Sequence, residues 1–318
     1  MMSEPDIPFD IGILYEDADI VVIDKPHFVP TTPRGMWYAQ SALIRLRETY
    51  HDDSIIPAHR LDRATAGVVV FVRTSALRGA FQTMFQERRA RKTYECIAPC
   101  LPVGVRDGGA VRGVRMAGSA PDPSTGEAPL RDIVAQARRT PSISCIPGVL
   151  PGPTGTVAQC DPPQAFPLVR RSHITKLRGV LQAFEEPGVV NAETRIDLSP
   201  DQTAVVCDAA GNPRGRVALA PLGLRAYTLT PSTGKTHQLR VHMNALGLPM
   251  LGDDMYPRVI DRPYDDFGSP LQLVARELRF ADPRDGAERV FRSRIPLSVP
   301  CGGGQAMLVN YPTGGMQT

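Results

Sequence analysis

The sequence predicts an α+β protein, and three observations predict it. Apolar runs of strand length recur along the chain, at residues 11–15, 20–23, 67–72, 194–198, 223–229 and 271–280. Only three stretches, starting near residues 40, 75 and 236, space their apolar residues as a helix does. Apolar residues make up 42% of the 318 and charged residues 22%, ordinary values for a chain with a sizeable core.

The elements follow in order. Residues 11–15 and 20–23 are strands split by the turn EDAD, the second ending at Lys25-Pro26. In 40–50, Leu43, Leu46 and Tyr50 recur at three and four, which predicts a short amphipathic helix. The run 67–72 is β-branched and aromatic without interruption, so it reads as a buried strand. Thr74 or Ser75 is placed to cap a helix whose stripe is Leu77, Phe81, Met84 and Phe85 and whose far end is the basic cluster Arg88, Arg89, Arg91, Lys92. KTYECIAP alternates as a strand and sets Tyr94 on one face. A structural tyrosine with a satisfied hydroxyl is the ordinary reading of such a position, and a catalytic role the other.

From residue 99 to about 171 no period persists, and PGVLPGPTG and DPPQAFP interrupt any long element, so this stretch reads as an insertion. Its Arg112, Arg115, Arg138, Arg139, Arg170 and Arg171 are candidates for gripping phosphates or for simple solvation. Beyond it, Thr236 is placed to cap a helix with Leu239, His242, Met243 and Leu246 on one face, closed by Gly247. Arg240 lies off that stripe, free to reach something acidic. Residues 301–318 read as a loose tail.

Composition excludes several classes. The net charge of +3 does not by itself announce a nucleic-acid binder. No apolar stretch reaches membrane-span length and the N-terminus is acidic, so a soluble cytoplasmic protein is expected. The six cysteines include no CxxC pair, and His237 and His242 are about 140° apart around a helix, so neither a metal site nor any cofactor is expected. The GKT near residue 235 lacks the glycine that a phosphate-binding loop needs, since position 229 is Leu.

Residues 57–74, PAHRLDRATAGVVVFVRT, organise the rest. Asp62 stands between Arg60 and Arg63 at the mouth of a buried strand, where positive neighbours keep a carboxylate ionised. The alternative is a turn that Asp62 caps with Thr65.

The blocks ILYEDADIVVIDKP, AHRLDRATAGVVVF, RARKTYECIA, TGKTHQLRVHMNALGLPMLGD and LQLVARELRF, with FRSRIP after them, occur in the order of one family. The chain resembles an RNA pseudouridine synthase of the RluA class. That resemblance implies the pseudouridine synthase fold, a central mixed and mostly antiparallel sheet flanked by helices and loops. It implies one catalytic domain over 1–318 with the 99–171 insertion inside it and no separate N-terminal RNA-binding module. Asp62, Tyr94 and Arg240 then match the family's catalytic positions, Arg240 being a countercharge for an ionised Asp62 in a partly desolvated pocket. His59, Arg60, Arg63, Thr65, Lys92, His237 and Leu239 match positions that meet RNA. The partner implied is a ribosomal or transfer RNA, with no cofactor, membrane or protein partner and a monomeric state. Three residues depart from the family: Phe28 stands where glycine is usual, Ala66 where serine is common and Val274 where histidine is common.

The chemistry is an isomerisation. A carboxylate attacks C1′ of uridine or removes the C2′ proton, the base turns, and C5 replaces N1 on the sugar. The uridine must leave its stack, with Arg60 placed to contact the gap. Two other classes remain: an RNA-binding factor on the same scaffold, and a glycoside hydrolase, for which no second carboxylate stands out beside Asp62.

Overall fold

The computed structural model describes residues 4–101, 166–208 and 211–300, and these fall into two compact units. One comprises Met1–Glu95 and Arg262–Pro296, the other Cys96–Asp261 and Leu297–Thr318.

In the first unit the chain runs β1 (Gly12–Glu16), β2 (Ile20–Lys25), α1 (Ala42–Tyr50), β3 (Ile56–Pro57), β4 (Ala66–Val72) and α2 (Arg78–Gln86). It returns after the second unit as β12 (Leu273–Ala281) and β13 (Glu288–Arg292). The strand order is β1-β2-β4-β12, with β3 on β4 and β13 on β12. β4 pairs antiparallel with β2 and parallel with β12, so the sheet is mixed, as the resemblance implied. Every residue of β2 and β4 is buried, which is why both read as apolar runs rather than as alternation. Phe81 and Met84 of α2 pack on Ile20, Val22, Val68, Val70, Val72, Leu278 and Phe280. Each such side chain contributes roughly 1.5–3 kcal/mol on burial.

Two local devices set the loop that precedes β4. Gly67 has φ +117, and a Cβ there would lie 2.3 Å from the carbonyl oxygen of Ala275, so only glycine permits the approach of β4 to β12. Ala66 and Val274 are partners in that same parallel pairing, and both are fully buried. Two of the three departures from the family are therefore one apolar contact.

α1 begins at Ser41, whose Oγ accepts from the Ile44 amide. The expected cap of α2 does not form. Residues Ser75–Leu77 make a 3-10 turn, and the Thr74 hydroxyl donates to the Asp19 carboxylate instead. A side chain that ties two loops together has left the helix end.

β5 (Arg91–Pro99) belongs to the first unit as far as Glu95 and to the second beyond it. The second unit continues with β6 (Leu168–Thr175), β7 (Phe184–Glu186), β8 (Ala192–Leu198), β9 (Thr203–Cys207), β10 (Pro213–Ala218), β11 (Leu224–Pro231), α3 (Gln238–Ala245) and β14 (Ser298–Pro300). Its strands run β11-β8-β6-β7, all antiparallel, beside a small sheet β10-β9-β14. β6 begins inside the expected 99–171 insertion, so Arg170 and Arg171 lie on a strand opposite Thr194 and Glu193 of β8. They are not loop residues. Arg112, Arg115, Arg138, Arg139 and the expected tail lie outside the described residues.

Thr236 does not cap α3. The residue at the helix start is His237, held in the left-handed region at φ 55, and Gln238 organises the turn in its place. Its amide nitrogen donates to the Glu193 carbonyl and Thr194 Oγ1. Its oxygen accepts from Thr233 Oγ1 and the Lys235 amide. Gly247 follows the helix at φ 73, as a C-terminal breaker does.

Candidate active site

Asp62 lies in the loop from β3 to β4, half-buried, and that loop is fixed at several points. The Ala58 amide donates to the Val70 carbonyl, and the Thr65 amide closes a turn on the Asp62 carbonyl. Thr31 bonds Leu61 twice: its Oγ1 donates to the Leu61 carbonyl at 2.8 Å and accepts from the Leu61 amide at 3.1 Å. His27 Nδ1 meets the Ala64 carbonyl at 2.8 Å. Burial lowers the His27 ring to about 4, so it is neutral and this nitrogen donates. Lys25 completes the set, with Nζ bonds to the carbonyls of Pro26 at 3.0 Å, Val29 at 2.7 Å and Arg63 at 3.4 Å. The loop carries its carboxylate on backbone that is held on both sides.

The neighbours of Asp62 divide sharply. The Arg63 guanidinium lies over the rings of Trp37 at 4.5 Å and Phe28 at 5.6 Å and donates to the Tyr264 carbonyl. Phe28 itself sits at φ 69, a strained state for a bulky residue, and its ring packs with Phe9 and Phe267. The His59 ring packs tilted against Phe85 at 4.3 Å between centroids, and its Nε2 accepts from the Val70 amide, so it too is neutral; burial first and then Lys92 hold it well below the usual histidine range. Thr65 is buried. Arg60 is exposed and has no ion pair among the described residues.

Tyr94 is buried on β5. Burial, and then the charge of Asp62, push its phenol above the usual tyrosine value, so it stays protonated at any working pH. That coupling places the hydroxyl and the carboxylate in one electrostatic neighbourhood. Lys92 rests over the Phe85 ring at 5.0 Å, and burial lowers it from 10.5 to about 8.

In the second unit Arg240 is buried, and its guanidinium grips Asp253 through Nε–Oδ2 at 2.9 Å and Nη2–Oδ1 at 2.5 Å, with Asp254 at 2.9 Å and the Tyr256 ring beneath it. His237 Nδ1 meets the Tyr256 hydroxyl at 3.1 Å, and Leu239 is buried. Sequence reasoning did not single out Lys25, His27, Thr31 or Gln238. All four act on backbone carbonyls or amides, which leaves no pattern in the residue types themselves. No group of three or more His, Cys, Asp or Glu among the described residues is arranged to hold a metal ion.

Comparison with known proteins adds four findings. The profile described as RNA pseudouridylate synthase matches residues 19–245. An RNA pseudouridine synthase of Synechocystis, itself called uncharacterized, is 34% identical over 30% of this chain and 34% of its own length. The dual-specificity RNA pseudouridine synthase RluA of Haemophilus influenzae is 25% identical over 89% of this chain and 93% of its own. Among solved structures, Human RNA Pseudouridylate Synthase Domain Containing 1 is similar at a TM-score of 0.52 and 19% identity, covering 90% of this chain and 84% of that one, a likeness of fold.

Proposed function

This chain belongs to the RNA pseudouridylate synthase family, in its RluA type, and from that premise we propose that it converts specific uridines of ribosomal or transfer RNA to pseudouridine. The observation that carries this reading is Asp62, a carboxylate on a loop fixed through Leu61, Arg63 and Ala64, with the Tyr94 hydroxyl inside its field. A rigid loop holds the anion at the ribose of a flipped nucleotide without reorganisation during the reaction.

The C1′–N1 bond breaks as Asp62 either adds to C1′ or takes the C2′ proton. The uracil turns and C5 bonds to C1′, displacing the Asp62 ester on the first route or with the C2′ proton returned by Asp62 on the second; the C5 proton leaves to water, N1 takes one up, and the Asp62 carboxylate is regenerated. Atoms balance without any co-reactant. Tyr94 offers its ring to the turning base and a neutral hydroxyl to the proton leaving C5. Arg240 completes the catalytic set. The RNA-facing residues are Arg60, Lys92, His237 and Leu239, while His59, Arg63 and Thr65 act by shaping the loop. The enzyme is read as cytoplasmic and monomeric.

The test is Asp62→Asn, assayed for pseudouridine on cellular ribosomal and transfer RNA and for RNA affinity. Isomerisation is lost and affinity is retained, because the change removes an anion and no phosphate contact. Turnover above a few per cent of wild type would remove Asp62 from the chemistry.

A further inference from the structure

Lys25 is the last residue of β2, paired with Gly67 at the point where the Asp62 loop enters β4. Its side chain is 0% exposed. An ammonium has three donors and no acceptor, and here each N–H has a carbonyl: Pro26 and Val29 in the turn after β2, and Arg63 in the residue following Asp62. No ion pair among the described residues includes it. A methionine would fill the same volume without the desolvation that a buried charge requires, so the cation needs a reason. The charged and titratable groups that act on it or feel it are Asp62, Arg63 and His27; Arg63 is turned to the aromatic rings and His27 is neutral. That leaves Asp62 as the one opposite charge acting on it among the described residues.

We propose that Lys25 is a positioning residue for Asp62, its ammonium fixing the carboxylate loop through the Arg63 carbonyl and supplying positive potential from beneath. This rests on the catalytic reading of Asp62 above. Burial lowers Lys25 from 10.5 to about 7, against the charge of Asp62, which raises it, and with that of Arg63, which lowers it further. The sign follows. The cation is present at low pH and is lost as pH rises through this lowered value, well before an ordinary lysine would titrate. The neutral amine has two N–H groups for three carbonyls, and the longest bond, to Arg63, is the one released. Lys25 thereby sets the alkaline limb of the reaction, a role that Tyr94 is too weakly acidic to fill.

Single-turnover rates at saturating enzyme, across pH, decide the matter for wild type, Lys25→Met, Lys25→Arg and Asp62→Asn, with RNA affinity measured beside them. Wild type should lose rate on the alkaline side below the ordinary lysine range. Lys25→Met should be slower by about tenfold or more at unchanged affinity and should lack the wild-type alkaline limb. Lys25→Arg, charged at every pH used, should move the alkaline limb out of range. A folded Lys25→Met with wild-type rate and the alkaline limb in place overturns the proposal. If Lys25→Met does not fold, a Lys25→Arg alkaline limb that coincides with wild type overturns it instead. Asp62→Asn separates the two readings: if it is inactive while the Lys25 variants match wild type, only the role of Lys25 falls. If Asp62→Asn is active, the catalytic reading falls with it.

Discussion

At the scale of single residues, the site is built from groups whose protonation is fixed and two buried lysines, Lys25 and Lys92, whose protonation is not. Burial keeps His27 and His59 neutral, and burial with the Asp62 charge keeps the Tyr94 phenol protonated. A tyrosine held in that state cannot serve as a phenolate, so its hydroxyl acts as a neutral relay and its ring as a stacking face. Tyr94→Phe keeps the ring and removes the relay. The expected outcome is a rate lower by about 10²-fold, the smaller end of the usual contribution of a positioned proton-transfer group. RNA affinity should be unchanged and the alkaline limb of the pH profile unmoved, and single-turnover kinetics across pH would check all three. An alkaline limb that disappeared in Tyr94→Phe would assign that titration to the tyrosine. Phe28 shows the opposite case, a strained backbone tolerated because its ring joins Phe9 and Phe267 beneath Arg63.

At the scale of elements, α3 carries Arg240 and the β3–β4 loop carries Asp62, and the sequence made one far more legible than the other. The loop was readable because its chemistry lies in residue types: a carboxylate between two arginines, followed by an uninterrupted apolar strand that proved buried at every position. The start of α3 was not, since a Thr at the right spacing outweighed the left-handed His237 and the four bonds of Gln238, which depend on Glu193 and Thr194 far away in sequence. Arg240 is expected off the apolar stripe and free to reach something acidic, and it does so: it is 3% exposed and clamped to Asp253, whose side chain is 0% exposed. Removing one partner of such a pair strands the other in low dielectric, at about 3–5 kcal/mol. Arg240→Ala should therefore lower the melting temperature as well as the rate. Arg240→Ala with Asp253→Asn should recover much of the stability but none of the rate, because the stranded charge is gone while the guanidinium is still missing. Thermal denaturation and single-turnover assays on the single and double variants would show this, and recovery of both together would make Arg240 purely structural.

For the molecule as a whole, charge balance governs how it meets RNA, and the net +3 conceals where the usable cations are. Many arginines at or near the described surface already face carboxylates: Arg171 with Glu193, Arg195 with Asp197, Arg214 with Asp208, Arg216 with Asp201, and Arg284 and Arg289 with Asp282. Arg170 is further committed, its guanidinium on Glu185 with only 13% of the side chain exposed. Composition could not reveal this, since pairing is a property of strand register, and β6 places Arg170 and Arg171 on the sheet rather than in the insertion. Exposed cations without an ion pair among the described residues include Arg60 beside Asp62, Arg88 and Arg91 around the start of β5, and Lys235 ahead of α3. A cation that neutralises a phosphate releases a counterion, whereas one already paired to a carboxylate releases little. Arg60→Gln with Lys235→Gln should therefore reduce the slope of log affinity against log salt by about 0.7 for each phosphate no longer neutralised. Arg195→Gln with Arg216→Gln should leave that slope unchanged, although it removes the same formal charge. Arg170→Gln should act on melting temperature instead of slope. RNA-binding isotherms at several salt concentrations for the two double variants test the distinction. Equal slopes in the two would mean that RNA responds to total charge, and that the ion pairs on this surface open to receive it.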